Sequence, residues 1–199
     1  MSNTKGPAIS VQYMTRIAVL AAVAAVLFLT LEIPIFGNIY KLDFSNLPVL
    51  LAAFSMGPVP GLITLLIKDL IHLMVKGMGT MGIGDLADFL MSAALLLPAS
   101  LLYRAHKTRR RALIGMVIGT LCMAAMALLV NGTILFPFYM SAYHMDLAAI
   151  AGALGCASGS MISILLATTL PFNLLKGVVL SILTFLIYKP LSPLLKVRH

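Results

Sequence analysis

Between Asp146 and Lys189 the sequence carries a single charged side chain, Lys176, in an otherwise apolar stretch. Asn173 precedes it by three residues, a spacing that puts amide and ammonium on one face of an α-helix. An asparagine amide offers a donor and an acceptor, and lysine adds a charged donor. Such a pair can hold the polar edge of a heterocycle, and Asn131, in a second apolar stretch, can join it. The competing reading has Lys176 snorkelling outward and Asn173 bonding a neighbouring helix. A second group is Lys68, Asp69 and His72, in which Lys68 and His72 share a helical face and Asp69 lies beside them. Ionisable groups inside an apolar segment mark function. Here they read equally well as a working set or as a self-neutralising structural cluster.

No motif supports catalysis. GxxxxGK[ST], HExxH and GxSxG are all missing, so the chain has no phosphate-binding loop, zinc-protease helix or nucleophile elbow of its own. Cys122 and Cys156 have no metal-ligand spacing and read as packing residues. No cofactor is implied, and the expectation is a protein that is not an enzyme.

The elements that must carry these residues follow from composition. The chain is 61% hydrophobic and 10% charged, with a mean hydropathy of +1.05. A soluble domain needs about a quarter of its residues charged, so lipid is this chain's solvent. Lipid leaves only helices or closed barrels, and no long alternation of polar and apolar residues suggests barrel strands. The fold class is therefore an all-α integral membrane protein, with residues 1–199 forming one membrane-embedded domain.

Six transmembrane helices are expected, at about 11–33, 47–56, 60–75, 85–103, 112–136 and 161–188. The uncharged run 47–67 could make one span, but GPVPG at 57–61 breaks it into two short helices. Pro171 predicts a kink in the last helix. The small-residue segment 147–160 reads as structured but extramembrane. The first run reads as an uncleaved helix, because Glu32-Ile-Pro is a poor cleavage site.

The net charge of +8 is not a nucleic-acid footprint, because the basic residues gather at one end of the expected bundle. Lys5, Arg16, the run RAHKTRRR at 104–111, Lys189, Lys196 and Arg198 fall on one side, leaving Lys41 and Lys76 on the other. The positive-inside rule makes the basic side, with both termini, cytoplasmic. Small residues four apart (Ala18 with Ala22, Ala21 with Ala25, Gly115 with Gly119) allow close helix approach, either within the protein or to a partner.

These residues also resemble a known family. YKLDFSNLP (40–48), the Gly-Pro turn at 57–58, LIKDLIHL (66–73), GIGDLADF (82–89), NGTILFPFY (131–139) and PFNLLKG (171–177) look like the riboflavin-specific S-components of energy-coupling factor (ECF) vitamin transporters. The resemblance runs from the first helix to the last. It implies a non-catalytic subunit in a bacterial plasma membrane, surrounded by lipid, that captures riboflavin with high affinity near its outer face. Its partners would be a transmembrane coupling subunit and two ATP-binding cassette ATPases. Ala18 and Ala22 would dock the coupling subunit, and the loop at 34–45 would close over the pocket.

By the same resemblance, ligand contact is carried onto Asn131, Asn173 and Lys176, and onto Leu42, Phe44 and Ser45. The ring faces of a flavin need apolar walls, for which Phe136 and Tyr139 are candidates. The fourth helix departs from the family's Gly-Glu-Leu-Ala-Asn-Phe pattern, reading Gly84-Asp85-Leu86-Ala87-Asp88-Phe89. Asp85 and Asp88 are assigned to the pocket, for instance to a ribityl hydroxyl, and their charge would disfavour a phosphorylated flavin. The alternative function is a stand-alone proton-coupled transporter of a small heterocycle, with Lys68, Asp69, Asp88 and His72 as its relay. Such transporters usually contain two related halves, and residues 1–100 and 101–199 show no repeat.

Overall fold

The computed structural model describes residues 11–37, 39–77, 81–105, 107–157 and 159–195, with side chains through Ile187. Lys5, Lys196, Arg198 and the side chain of Lys189, which contribute to the basic end of the sequence, lie outside the described residues. The described chain is mostly helical. Helix α1 is Val11–Thr30, and a hairpin follows with β1 at Glu32–Phe36 and β2 at Tyr40–Asp43. Next come α2 (Asn46–Met56), α3 (Pro58–Lys76), α4 (Ile83–Ala105) and α5 (Arg109–Val130). A π turn, Asn131–Leu135, leads from α5 straight into α6 (Phe136–Ala142). Helix α7 is Leu147–Leu154; α8 (Met161–Ile164) passes through a second π turn, Leu165–Thr169, into α9 (Leu170–Leu195).

Among the described residues, five helical stretches are long and apolar enough to cross a membrane: Val11–Thr30, Pro58–Lys76, Ile83–Ala105, Arg109–Ala142 and Met161–Ile187. The sixth expected span is different. Asn46–Met56 has 11 residues, which at 1.5 Å per residue is roughly 16 Å, about half the hydrocarbon thickness. The chain makes up the distance by carrying β2 and its buried Asp43 into the bundle before α2 begins. Gly57 then turns α2 into α3 at φ 111°, a conformation open to glycine, and Pro58 starts α3 where its missing N–H costs nothing.

The hairpin corrects the sequence reading, which ran the first helix to 33 and made 34–45 a plain loop. Its strands pair antiparallel, Glu32 opposite Asp43 and Ile33 opposite Leu42. The register slips between Pro34 and Phe36, where proline cannot donate to the ladder. At the turn, Gly37 has φ 54° and lies so close to the Ala153 carbonyl of α7 that a β-carbon would collide with it.

The expected helix over 112–136 instead runs from 109 to 142, and in the last helix a π turn precedes Pro171, where a kink is expected. Each contains a five-residue π turn ending two residues before a proline: 131–135 before Pro137, and 165–169 before Pro171. A proline inside a helix removes one backbone bond and crowds the carbonyl four residues earlier, and a widened turn relieves that crowding. The segment expected to be extramembrane contains α7, which buries Ile150, Ala151 and Leu154 against the hairpin end of the bundle.

Among the described residues, the two larger of three apolar clusters frame the interior. One, built on Leu50, Leu65, Leu95, Leu96, Met116, Met123 and Leu180, fills the half of the bundle toward the α2–α3 turn. The other, with Tyr40, Leu42, Phe136, Ile150, Ile164 and Phe172, lies under the hairpin. Gly115 and Gly119 serve internal packing, since β-carbons there would meet the carbonyls of Ala99 and Leu95 on α4. In α1, Ala21 and Ala25 are buried, whereas Ala18 and Ala22 are exposed.

Candidate functional site

Between the two apolar clusters lies a set of buried charges. Lys68 on α3 is completely buried, and its Nζ donates to Asp88 Oδ2 at 2.7 Å. It also donates to Ser45 Oγ at 3.3 Å and Asn46 Oδ1 at 3.4 Å, lies 3.0 Å from Asp69 Oδ1, and sits 4.4 Å above the Phe28 ring. Lys176 on α9 donates to Asp43 Oδ2 at 2.8 Å and to Asp88 Oδ1 at 3.2 Å. Asp88 on α4 thus bridges the two lysines, one oxygen to each.

A second layer holds these groups in place. Ser45 donates to Asp43 Oδ1 through both its backbone N–H and its hydroxyl. Asn46 Nδ2 donates to Ser92 Oγ at 2.8 Å, and Ser92 in turn donates to Asp88 Oδ2 at 3.3 Å. The geometry replaces two expectations. Lys176 neither snorkels nor stands free. Lys68 and Lys176, placed in separate groups by sequence reasoning, belong to one network. Asp69 is its least satisfied member, with neither oxygen in a hydrogen bond although Lys68 Nζ is near.

The two fourth-helix acids part company. Asp88 points into the lysine network, with both oxygens occupied. Asp85 pairs at the rim with His72 Nδ1 at 2.5 Å, and the His72 ring stacks on Phe28 with centroids 3.8 Å apart. Glu32 of β1 completes the rim, bonded to Lys41 at 2.8 Å and Lys76 at 2.7 Å. Burial alone would raise the Glu32 pKa, but these two ammoniums overcome it and hold the carboxyl below its ordinary value. The rim pairs tie the hairpin to the end of α3.

The asparagines flank the π turns. Asn131 opens the first π turn, is fully buried, and donates its Nδ2 to Ala127 O at 2.8 Å. Asn173 lies four residues past Thr169, the end of the second, and donates to the Thr169 carbonyl at 2.9 Å. Tyr40 of the hairpin joins the two turns: its hydroxyl donates to Asn131 Oδ1 at 3.0 Å and lies 2.6 Å from Thr169 Oγ1. Its ring stacks on Phe172, centroids 5.1 Å apart and 14° from parallel.

Of the remaining expected site residues, Leu42 and Phe136 are buried in the apolar cluster beneath the hairpin, with Phe44 and Tyr139 packed against it. Ser45 is fully buried beneath Asp43. Of the set named from the sequence, Asn131 and Lys176 contact the hairpin through Tyr40 and Asp43, Asp88 joins Lys176, and Asp85 lies at the rim. Sequence reasoning missed Asp43, Tyr40 and Phe172. Asp43 and Tyr40 lie in the quoted YKLDFSNLP segment, but a residue read as part of a loop gave no sign that it would be buried against α9.

This architecture matches a known family. The model for "ECF transporter, substrate-specific component" covers residues 12–188. The riboflavin transporter RibU of Staphylococcus aureus (strain TCH60) is 35% identical over 184 residues, spanning 92% of each chain. The riboflavin transporter FmnP of Bacillus subtilis (strain 168) is 25% identical over 186 residues, 92% of this chain and 93% of that relative. A solved structure described as the S component of a bacterial ECF transporter superposes with a TM-score of 0.73 at 31% identity, covering 94% of this chain and 98% of the other. With its hairpin-capped bundle and a family match along nearly its whole length, the chain belongs to the substrate-specific (S) components of ECF transporters.

Proposed function

We propose that this S component captures riboflavin at the hairpin end of its bundle and delivers it through an ECF coupling subunit driven by two ATP-binding cassette ATPases. The observation that carries the reading is that buried Asn131 bonds Tyr40 of the hairpin and buried Lys176 bonds its Asp43, with buried Asn173 three residues from Lys176 on α9 and an apolar cluster of Tyr40, Phe136 and Phe172 under the hairpin. An isoalloxazine is flat and apolar on its faces, with an imide edge of alternating acceptors and donors. Aromatic side chains suit the faces, and two amides and an ammonium suit the edge. The riboflavin transporters among the relatives support the choice of ligand.

The stand-alone proton-coupled reading loses its support. Lys68 and Asp88, two of its proposed relay groups, are committed to buried ion pairs, and membership in the S-component family points to an external energy source. In the proposed role, the exposed Ala18 and Ala22 on α1 provide the close-approach surface for the coupling subunit. Ala22→Leu is expected to weaken assembly by ~1–3 kcal/mol while riboflavin binding is kept. Loss of binding together with assembly would return this face to internal packing.

We also propose six traverses of the membrane, the third element (β2 with α2) counting as one, with both termini and the 105–109 connection cytoplasmic. The basic residues Arg104, Lys107, Arg109, Arg110 and Arg111 support this orientation. A cysteine at Thr108, in a Cys122→Ala, Cys156→Ala background, should be labelled only after the membrane is permeabilised; labelling from outside intact cells would reverse the topology.

The pocket reading is tested by Lys176→Ala and Asn173→Ala. Each removes a partner from a buried polar edge, at roughly 1–3 kcal/mol, a loss on the order of tenfold to a hundredfold in riboflavin affinity. Both variants should still reach the membrane, and Lys76→Ala at the rim should bind as the parent does. Quenching of riboflavin fluorescence measures all three. Parental affinity in both pocket variants would remove these residues from the site.

A further inference from the structure

The two ends of the bundle differ sharply in charge. All six acids of the chain, Glu32, Asp43, Asp69, Asp85, Asp88 and Asp146, belong to the lysine network, to the rim or to the cap of α7. The other end holds Arg104, Lys107, Arg109, Arg110 and Arg111 around the α4–α5 connection, and Arg104 lies against the α2–α3 turn at Gly57. Among the described residues none of these five forms an ion pair with a carboxylate. Any anion that meets them comes from outside the described chain.

Just inside the basic end is a groove lined by Phe54 of α2, Tyr103 of α4, Ala112 and Met116 of α5, and Thr184 and Phe185 of α9. One lining group stands out. Thr184 is 1% exposed, and its Oγ1 has no hydrogen-bond partner among the described residues. Thr64, Thr133 and Thr168 each donate to the carbonyl four residues back, the usual outlet for a helical threonine. Thr184 does not, so the groove wall holds a buried donor whose cost a bound acceptor would remove. On the same two helices Leu113, Val117, Ile182 and Leu186 are exposed, a surface suited to lipid.

We propose that this groove binds one anionic phospholipid from the leaflet at the basic end. An acyl chain lies along Phe54, Met116 and Phe185, an ester carbonyl accepts from Thr184 Oγ1, and the phosphate meets the arginines that open α5. Met116 is five residues from Arg111, roughly 8 Å along the helix axis, a distance that a glycerol phosphodiester and an arginine side chain span together. Position favours lipid over a protein occupant. Helix α1, with the exposed Ala18 and Ala22, packs mainly on α2 and α3, whereas the groove lies where α5 packs on α9. The site does not depend on the identity of the transported ligand.

Delipidated full-length protein, titrated with phosphatidylglycerol or phosphatidylcholine and read by native mass spectrometry, tests the site. One phosphatidylglycerol should bind on the order of tenfold more tightly than phosphatidylcholine. Thr184→Val keeps the shape and removes the donor, so it should weaken both lipids several-fold and leave the preference intact. Thr184→Ser should bind as the parent does. The double variant Arg109→Gln, Arg111→Gln should erase the preference while phosphatidylcholine binding stays parental. Parental quenching of riboflavin fluorescence shows that each variant is folded, and Thr184→Ala replaces the valine variant if that one is not. Equal affinity for the two lipids in the parent, or parental lipid affinity without the Thr184 hydroxyl, overturns the proposal. In the second case, lost assembly with the coupling subunit would assign the groove to that partner instead.

Discussion

A lysine ammonium packed between apolar helices must meet an anion. This chain holds two such lysines, and Asp88 gives one carboxylate oxygen to each. That bridge fixes how the interior is arranged. It ties α4 to α3 through Lys68 and to α9 through Lys176, and Asn46 and Ser92 lock its second layer to α2. Removing one partner of such a buried pair costs ~3–5 kcal/mol because the other is left uncompensated. The same groups set the floor of the proposed pocket, so the stability of the bundle and the chemistry of the site draw on one set of side chains.

Above this floor the fold uses irregular backbone where a ligand would need it. Two π turns, each set two residues ahead of a proline, flank the position where Tyr40 bonds Asn131 and approaches Thr169. Irregular backbone at membrane depth is tolerated where protein surrounds it, and here Tyr40 of the hairpin reaches both turns. The hairpin is held by contacts of graded strength: partly exposed ion pairs at the rim, a neutral aromatic contact within, and the buried charge of Asp43 at its base. An element anchored in this graded way can open without unfolding the helices beneath it.

Much of this could be read in the sequence, and the failures have physical causes. The shared face of Asn173 and Lys176 followed from helical spacing alone, and the α2–α3 turn followed from two prolines beside glycines. The partnership of Lys68 with Lys176 did not, because it passes through Asp88 and depends on how three helices pack. The hairpin was missed because 34–45 was carried over from the resemblance as a loop, although Ile33, Ile35 and Ile39 around that turn are β-branched strand formers. The π turns gave no propensity signal; only the prolines that follow them hinted at irregularity. Alanines four apart occur on two faces of α1, and spacing could not say that Ala21 and Ala25 turn inward while Ala18 and Ala22 stay exposed.

The central claim is that the amides and ammonium under the hairpin hold a flavin. Its most direct measurement is the absorption spectrum of the chain purified from riboflavin-containing cells, with the extracted ligand identified by mass. The predicted result is a yellow protein with a flavin spectrum, approaching one riboflavin per chain when saturated. A colourless protein that takes up no flavin on addition of riboflavin, while remaining folded and monodisperse, would contradict it.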